Sequence, residues 1–270
     1  MSGQSPSPEG FPEAEGGVSA AATAPEDRPV FDAHKSGRAA LIREMARYLG
    51  MRLPLTSGEE ETPAGVPGAP GPEAAEEAAS AQTQASSQAA AMTALLEDAL
   101  DRVTAASDFR SVSGRFELAF LEDGILSLAG TPVRSASLKR NLSGCTEVLF
   151  YAATLGAEAD RILRRAELSD MALASCLQAA AAAWIEACIE DDMDGLRAGF
   201  RKEGLALRPR FSPGYGDLPL EFQRDFFRIL RPQRRIGVTL TDACLMVPSK
   251  SVTALVGIYP AEPRAEDPQL

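Results

Sequence analysis

The sequence contains little histidine or cysteine, and these shortages exclude several kinds of site. With only one histidine, His34, a multi-histidine metal site is excluded and the most common general base of enzymes is missing from the rest of the chain. The cysteines are scattered without a C-x-x-C pair, so we expect no zinc site; they are Cys145, Cys176, Cys188 and Cys244. Thiols of this kind are typical of a reducing compartment, and we expect a cytoplasmic protein.

Positive charge and long apolar runs are also scarce. The net charge is −11 and no basic face stands out, so no nucleic-acid partner is expected. No apolar run approaches the roughly 20 residues that a membrane-spanning helix needs. The first residues, MSGQSPSPEGFPEAEGG, lack the basic and apolar regions of a secretory signal. We therefore expect no association with a membrane.

Low-complexity composition divides the chain into parts. Residues 1–36 are rich in Pro, Gly, Ser and Glu, which predicts a disordered tail. Residues 56–88 are Pro/Gly-rich and then Ala/Ser/Gln-rich, which predicts a flexible insertion at about 55–90, with helix near its end as an alternative. Apolar periodicity over 37–260 predicts a single folded domain around this insertion. A loose tail is expected at 261–270.

The periodicity of the apolar residues predicts a mixture of helices and strands. Helices are expected at 38–49 (followed by Gly50 as a stop), 92–105, 135–142 (capped by Ser135), 157–166, 169–200 and 218–230 (capped by Asp217). Strands are expected at 109–121, 125–128, 148–154, 236–240, 243–247 and 252–258. Because the elements show no regular βαβ alternation, we predict an α+β fold: a mixed, largely antiparallel twisted sheet flanked by helices.

A short motif near the N-terminus matches a cobalamin-binding pattern. Asp32 to Gly37, DAHKSG, fits D-x-H-x-x-G, in which the histidine coordinates cobalt. Three fixed positions match often by chance, and the motif needs a following α/β domain. Here it is followed by one helix and a low-complexity segment. We therefore expect no cobalamin on this chain itself.

Glu186 is an acidic residue inside an apolar helical stretch, AAAAAWIEACI. A partly buried carboxylate needs a donor or a cation as its partner. An exposed position on the helix surface is the simpler alternative. The sequence alone leaves both interpretations open.

The stretch RPRFSPGYGDLPLEF, residues 208–222, combines an arginine, a tight turn and a tyrosine. Pro213 and Gly214 predict a type II turn, which would bring Tyr215 back toward Arg210. A plain turn explains the proline and glycine but not Arg210, whose planar fork suits a carboxylate or phosphate. If Glu186 completes this cradle, the ligand is zwitterionic and partly flat. An amino acid joined to a nucleoside has this chemistry.

The same stretch carries a resemblance to a known family. R-x-x-P-G-Y at 210–215, followed by RRIGVTLTDACLMVPSKSVTALVGI, resembles the activation domain of cobalamin-dependent methionine synthase. The chain is more similar still to free-standing bacterial proteins that consist of that domain alone. Shorter matches are RYLG at 47–50, LSGC at 142–145 and FYAATLGAEADRILRRA at 150–166. The similarity covers about 38–258, interrupted by the low-complexity segment.

The resemblance implies a function and a set of ligand residues. It implies that the chain binds S-adenosylmethionine and donates its methyl group when a partner's cobalamin has been oxidised to cob(II)alamin. A flavodoxin-type protein would supply the electron. By the same resemblance, Arg210 would hold the methionine carboxylate and Glu186 the ammonium, Ser212 and Gly214 would present backbone, and Tyr215 would line the pocket. Cobalamin would be reached only through a partner, a cobalamin-carrying methionine synthase subunit.

The chain also departs from the family pattern. A further acidic ligand that the family has near its N-terminus has no counterpart we can match, and the sequence ends soon after Tyr259, where the family continues with aromatic residues. We expect an accessory subunit of a methyltransferase rather than an enzyme acting alone. The alternatives are a non-catalytic S-adenosylmethionine sensor, a reactivator of another corrinoid methyltransferase, and a scaffold that has lost the ligand.

Overall fold

A six-stranded sheet forms the centre of the computed structural model, which describes residues 37–51 and 72–261. All its strand pairs are antiparallel, and the order is β3-β2-β1-β4-β8-β5. The strands are β1 Arg110–Phe120, β2 Ile125–Leu128, β3 Thr131–Arg134, β4 Glu147–Thr154, β5 Leu205–Leu207 and β8 Ser251–Pro260. A separate short hairpin consists of β6 Thr239–Leu240 and β7 Met246–Val247.

Helices cover both faces of the sheet, which confirms the predicted α+β class. They are α1 Gly37–Tyr48, α2 Pro72–Ala106, α3 Ala136–Asn141, α4 Ala157–Glu167, α5 Met171–Lys202, α6 Phe222–Leu230 and α7 Pro232–Arg235. A single 3-10 turn, Glu122–Gly124, connects β1 to β2. The predicted cap of α3 is also confirmed, because the Ser135 hydroxyl accepts a hydrogen bond from the Leu138 N–H at 3.0 Å.

Alternation along the central strand β4 produces two separate cores. Leu149, Tyr151 and Ala153 face a core built with α1, α2, α4 and α5. Val148, Phe150 and Ala152 face the opposite core, built with α3 and α6. Successive side chains of a strand point to opposite faces, so one strand supplies both layers. Accordingly, the six β4 residues between Glu147 and Thr154 are all apolar or aromatic.

Helix α5 runs through the larger core and carries Glu186. Its alanine-rich sequence has high helix propensity, and its N-terminus is capped by the Asp170 carboxylate, which accepts from the N–H groups of Ala172 and Leu173 at 3.0 Å each. By length and composition α5 is the one described helix that could cross a membrane, contrary to the expectation that no such run exists. However, 67% of its most apolar window is buried inside the protein, as in the core helix of a globular domain.

Helix α2 begins at Pro72, well before the predicted start at Met92. The Ala-rich half of the segment that we expected to be a flexible insertion is therefore helical. Thr83, Gln84 and Ser86 on this part of the helix are exposed. Ala, Glu and Gln favour helix without burial, and a proline is tolerated in the first turn, which accounts for the difference.

Further differences concern three short elements and the start of helix α6. Strands β3 and β5 and helix α7 were not predicted, because they are only three or four residues long. Helix α6 begins at Phe222 rather than at residue 218, and Asp217 does not cap it, so that prediction is wrong. The Asp217 carboxylate instead accepts hydrogen bonds at the start of α3. The predicted tail at 1–36 lies outside the described residues, as does the predicted tail at 261–270 apart from its first residue.

Candidate functional site

The segment that follows β5 contains one extra residue relative to its partner strand. Leu207 pairs with Ile258, whereas Phe211 pairs with Leu255, so four steps along this segment match three steps along β8. Such an insertion is a β-bulge. Pro209 lies within the bulge, where its missing N–H group removes no bond from the ladder.

The bulge decides which face of the sheet receives Arg210. Leu207 packs against the larger core on the α5 side, and Phe211 is buried in the opposite core. Because neighbouring side chains in an extended chain alternate, Arg210 points away from the Phe211 side and toward α5. Without the extra residue, the alternation would place Arg210 on the other face, away from Glu186.

The two arginines of this segment have different surroundings. The Arg208 guanidinium donates to the Ser143 carbonyl at 2.8 Å and stacks on the Tyr259 ring, 4.5 Å from its centroid. Its backbone N–H donates to the Gly257 carbonyl at 2.8 Å. Arg208 therefore holds the segment to the sheet edge, and this leaves Arg210 as the arginine that faces α5.

Arg210 and Glu186 form an ion pair, 24 residues apart in the sequence. The Arg210 Nη2 group donates to Glu186 Oε2 at 2.7 Å. The two side chains are 24% and 45% exposed, respectively, so the pair lies at the protein surface with access to solvent. The structure thus brings together the two charged residues that the sequence analysis had selected for opposite ends of a zwitterion.

The turn after Arg210 has the geometry that the sequence predicted. The Tyr215 N–H donates to the Ser212 carbonyl at 3.1 Å, and Gly214 has φ of +87°, as the third residue of a type II turn requires. A side chain at Gly214 would be strained at this φ, and its Cβ would lie 3.3 Å from Leu220. The predicted turn at 212–215 is therefore present, whereas Tyr215 packs against Phe211, on the side of the sheet away from which Arg210 points.

Tyr215 is exposed, and the loop beneath it is fixed by Asp217. The Tyr215 ring packs edge-on against Phe211, with centroids 5.4 Å apart, and is 69% exposed. Asp217 accepts from the Ser135 hydroxyl at 2.5 Å and from the N–H groups of Ala136 and Ser137 at 2.7 and 3.0 Å. These bonds hold the pKa of the Asp217 carboxyl well below its ordinary value of 3.8, and the bond from Ser135 has the largest effect. The aromatic ring is thus presented on an anchored loop.

Three further residues near this pair were not predicted from the sequence as site residues. The Tyr151 hydroxyl donates to Asp192 Oδ2 at 2.7 Å on the α5 side of the sheet. Tyr48, at the end of α1, lies near Glu186: burial raises the pKa of Tyr48, and the charges of Glu44 and Glu186 raise it further. Tyr48 lies within the RYLG match at 47–50, which is the signal that could have identified it. For Tyr151 and Asp192 the sequence offers no such signal.

Other candidate sites in the described residues are separate from this pair. A cleft of about 720 Å³ runs along α3 and does not include Arg210 or Glu186; it is lined by Phe120, Ala136, Lys139, Arg140, Ser143 and Gly144. Over 37–51 and 72–261, no group of three or more His, Cys, Asp or Glu residues could hold a metal ion. The four cysteines are all free and buried. His34 and its D-x-H-x-x-G motif lie outside the described residues.

The C-terminal region is similar to a known protein family. Residues 152–267 match the family described as "Vitamin B12 dependent methionine synthase, activation domain", which confirms the resemblance over a region that contains Glu186 and the 210–215 turn. A solved structure described as "Crystal Structure of the MetH Reactivation Domain bound to AdoHcy" is similar at 16% identity and a TM-score of 0.49, covering 91% of this chain and 79% of that chain. No curated protein matches the chain by sequence.

Proposed function

We propose that this chain binds S-adenosylmethionine in the Arg210–Glu186 cradle and serves as a cytoplasmic reactivation subunit for a cobalamin-dependent methionine synthase. The observation that carries the proposal is the 2.7 Å contact between Arg210 and Glu186, both within the region that matches the activation-domain family. A ligand with a carboxylate and an ammonium needs two opposite charges at neighbouring positions. This pair supplies them at an accessible surface.

The ion pair suggests how the ligand would enter. An amino-acid zwitterion carries one negative and one positive charge, as Glu186 and Arg210 do. Arg210 could therefore exchange Glu186 for the ligand carboxylate, and Glu186 could exchange Arg210 for the ligand ammonium. The exchange replaces one charge-assisted hydrogen bond within the protein by one at each end of the ligand, and such bonds are among the strong ones. A ligand that lacks either charge would leave one partner unpaired in a partly desolvated site, which is unfavourable.

The turn would hold the nucleoside end of the ligand. Gly214 exposes bare backbone, and the Tyr215 ring offers an aromatic face that is 69% exposed. Because only four residues separate Arg210 from Tyr215 and the turn fixes their conformation, the amino-acid and nucleoside contacts would be set at a fixed separation. Ser212, which accepts the turn hydrogen bond with its carbonyl, would contribute backbone rather than its hydroxyl.

After a flavodoxin-type donor has provided one electron to the cobalamin of a partner protein, the bound S-adenosylmethionine would give it the methyl group of its sulfonium and leave as S-adenosylhomocysteine. The residues of this chain would bind and orient the ligand, and no side chain would be needed as an acid or base. Positioning of this kind can account for a large part of a rate enhancement. It also agrees with a chain that has a single histidine.

Calorimetric titration with S-adenosylmethionine tests ligand binding. We expect the intact chain to bind and the Arg210→Ala variant to lose most of its affinity. Arg197→Ala is the matched control, because Arg197 also pairs with α5 carboxylates and is similarly exposed, at 30% against 24% for Arg210. Absence of binding by the intact chain at millimolar ligand, or full binding by Arg210→Ala, would contradict the proposal.

A second experiment separates the reactivation subunit from a sensor that binds the same ligand. The chain is added to a cobalamin-loaded methionine synthase that lacks an activation domain, together with flavodoxin and its reductase. We expect return of methylcobalamin, observed by its absorption spectrum, only when S-adenosylmethionine and this chain are both present. Ligand binding without any return of methylcobalamin would favour the sensor.

A further inference from the structure

A buried tyrosine and a carboxylate lie on the same side of the sheet as the Arg210–Glu186 pair. Tyr151 is fully buried in the middle of β4, and its hydroxyl donates to Asp192 Oδ2 at 2.7 Å. Asp192 belongs to α5, six residues after Glu186, which corresponds to about 9 Å along a helix. A buried tyrosine hydroxyl needs a partner, but a neutral acceptor would satisfy it equally well. The need of the Tyr151 hydroxyl for an acceptor therefore does not explain why that acceptor is the charged Asp192 carboxylate.

The strand register places Arg210 two strands away from this tyrosine, with about 10 Å between their backbones, on the same side of the sheet. Tyr151 pairs with Ala254 of β8, and Phe211 pairs with the next residue, Leu255. Arg210 precedes Phe211 and points to the α5 side, which is also the side that Tyr151 faces. The electrostatics agree: burial raises the pKa of Tyr151 and the Asp192 charge raises it further, while the nearby Arg210 charge opposes both.

A second carboxylate near Arg210 has a function once a ligand is bound. A guanidinium has five N–H donors in a rigid fork, and the contact with Glu186 occupies only Nη2. When Glu186 turns to the ligand ammonium, Arg210 loses its hydrogen bond to Glu186. A fixed negative charge beside it would hold the guanidinium in place, so that less side-chain entropy is lost when the ligand carboxylate arrives.

We propose that Asp192, held by the buried Tyr151, is a positioning residue that keeps the Arg210 guanidinium directed at the ligand site. Tyr151 supplies the rigidity, because it cannot move without disturbing the core around β4. Asp192 supplies the charge. The binding test of this inference rests on the proposed function, whereas the folding test described below does not.

Binding of two related ligands distinguishes positioning from a general structural role. The probes are S-adenosylmethionine and 5′-methylthioadenosine, which shares the nucleoside but lacks the amino-acid carboxylate. For Asp192→Asn we expect affinity for S-adenosylmethionine to fall roughly tenfold, as for loss of one charged interaction, with no change for 5′-methylthioadenosine. Asp194→Asn is the control, because Asp194 lies on the same helix and pairs with Arg197. Tyr151→Phe is expected to act in the same direction as Asp192→Asn.

Equal losses for both ligands in Asp192→Asn, or no loss for either, would overturn the inference. If the intact chain binds neither ligand, the proposed function fails by itself, and the inference is decided by urea unfolding. In that case Asp192→Asn, Arg210→Ala and the double variant form a cycle that measures their coupling. We expect the effect of Asp192→Asn on the folding equilibrium constant to be at least about threefold smaller when Arg210 is absent. Additive effects would show that the two residues do not interact.

Discussion

Replacing Glu186 with glutamine separates a ligand-binding role from a structural one. In the free protein Glu186 forms a single hydrogen bond with Arg210, and the side chains are 45% and 24% exposed, respectively. Ion pairs with this much solvent contact stabilise a protein by less than about 1 kcal/mol. We therefore expect Glu186→Gln to lower the free energy of unfolding by less than about 1 kcal/mol, measured by urea unfolding.

The same substitution is expected to affect ligand binding much more. If the Glu186 carboxylate holds the ammonium of S-adenosylmethionine, glutamine removes a charged hydrogen bond that contributes about 1.5–3 kcal/mol. This corresponds to a loss of about ten- to hundredfold in affinity, which calorimetric titration resolves. The small effect on stability and the large effect on affinity together are the expected signature of a ligand residue.

Glu190→Gln provides the matched control for Glu186→Gln. Glu190 lies one turn further along α5, is 55% exposed and pairs with Arg197 at 2.5 Å. We expect this variant to show a similarly small change in stability and no change in affinity. The reasoning would be refuted if Glu186→Gln bound the ligand as tightly as Glu190→Gln does. It would also be refuted if Glu186→Gln lost more than about 3 kcal/mol of stability, since the carboxylate would then be structural.

Three other predictions concern the framework around the site. Because the folded-state pKa of Asp217 is depressed, its contribution to stability is present above its ordinary pKa of 3.8 and is lost as the pH falls below that value. In the Asp217→Asn variant the urea midpoint of unfolding should therefore decrease less steeply below about pH 4 than in the unchanged protein. Gly257→Ala should destabilise the protein by about 1–3 kcal/mol in thermal unfolding, because the new Cβ would lie 2.4 Å from the Cys145 sulfur in a packed core. The four cysteines should not react with a thiol reagent until the protein is unfolded, because all are buried and burial raises the pKa of Cys145, Cys176 and Cys188; a fast-reacting thiol in the native protein would contradict this.

Features that depend on neighbouring residues were predictable from the sequence. The Ser135 cap, the type II turn at Pro213–Gly214 and the alanine-rich helix α5 each follow from the local preferences of a few residues. The apolar run of β4 likewise predicted a strand, which the structure shows to be buried on both faces. The charges of Arg210 and Glu186 could be recognised as unusual because each stands in a local context that does not explain it.

Features that depend on distant residues were decided only by the tertiary structure. Asp217 has the sequence of a cap for the helix that follows it, yet it bonds to the start of α3, about eighty residues earlier, because the fold brings those N–H groups to it. The direction of Arg210 depends on one extra residue in the pairing with β8, and a shift of one residue in register moves a side chain to the other face of a sheet. The Tyr151–Asp192 contact joins a strand to a helix across the core. The sequence by itself therefore determined which residues carry unusual chemistry, and strand register and core packing decided which of them meet.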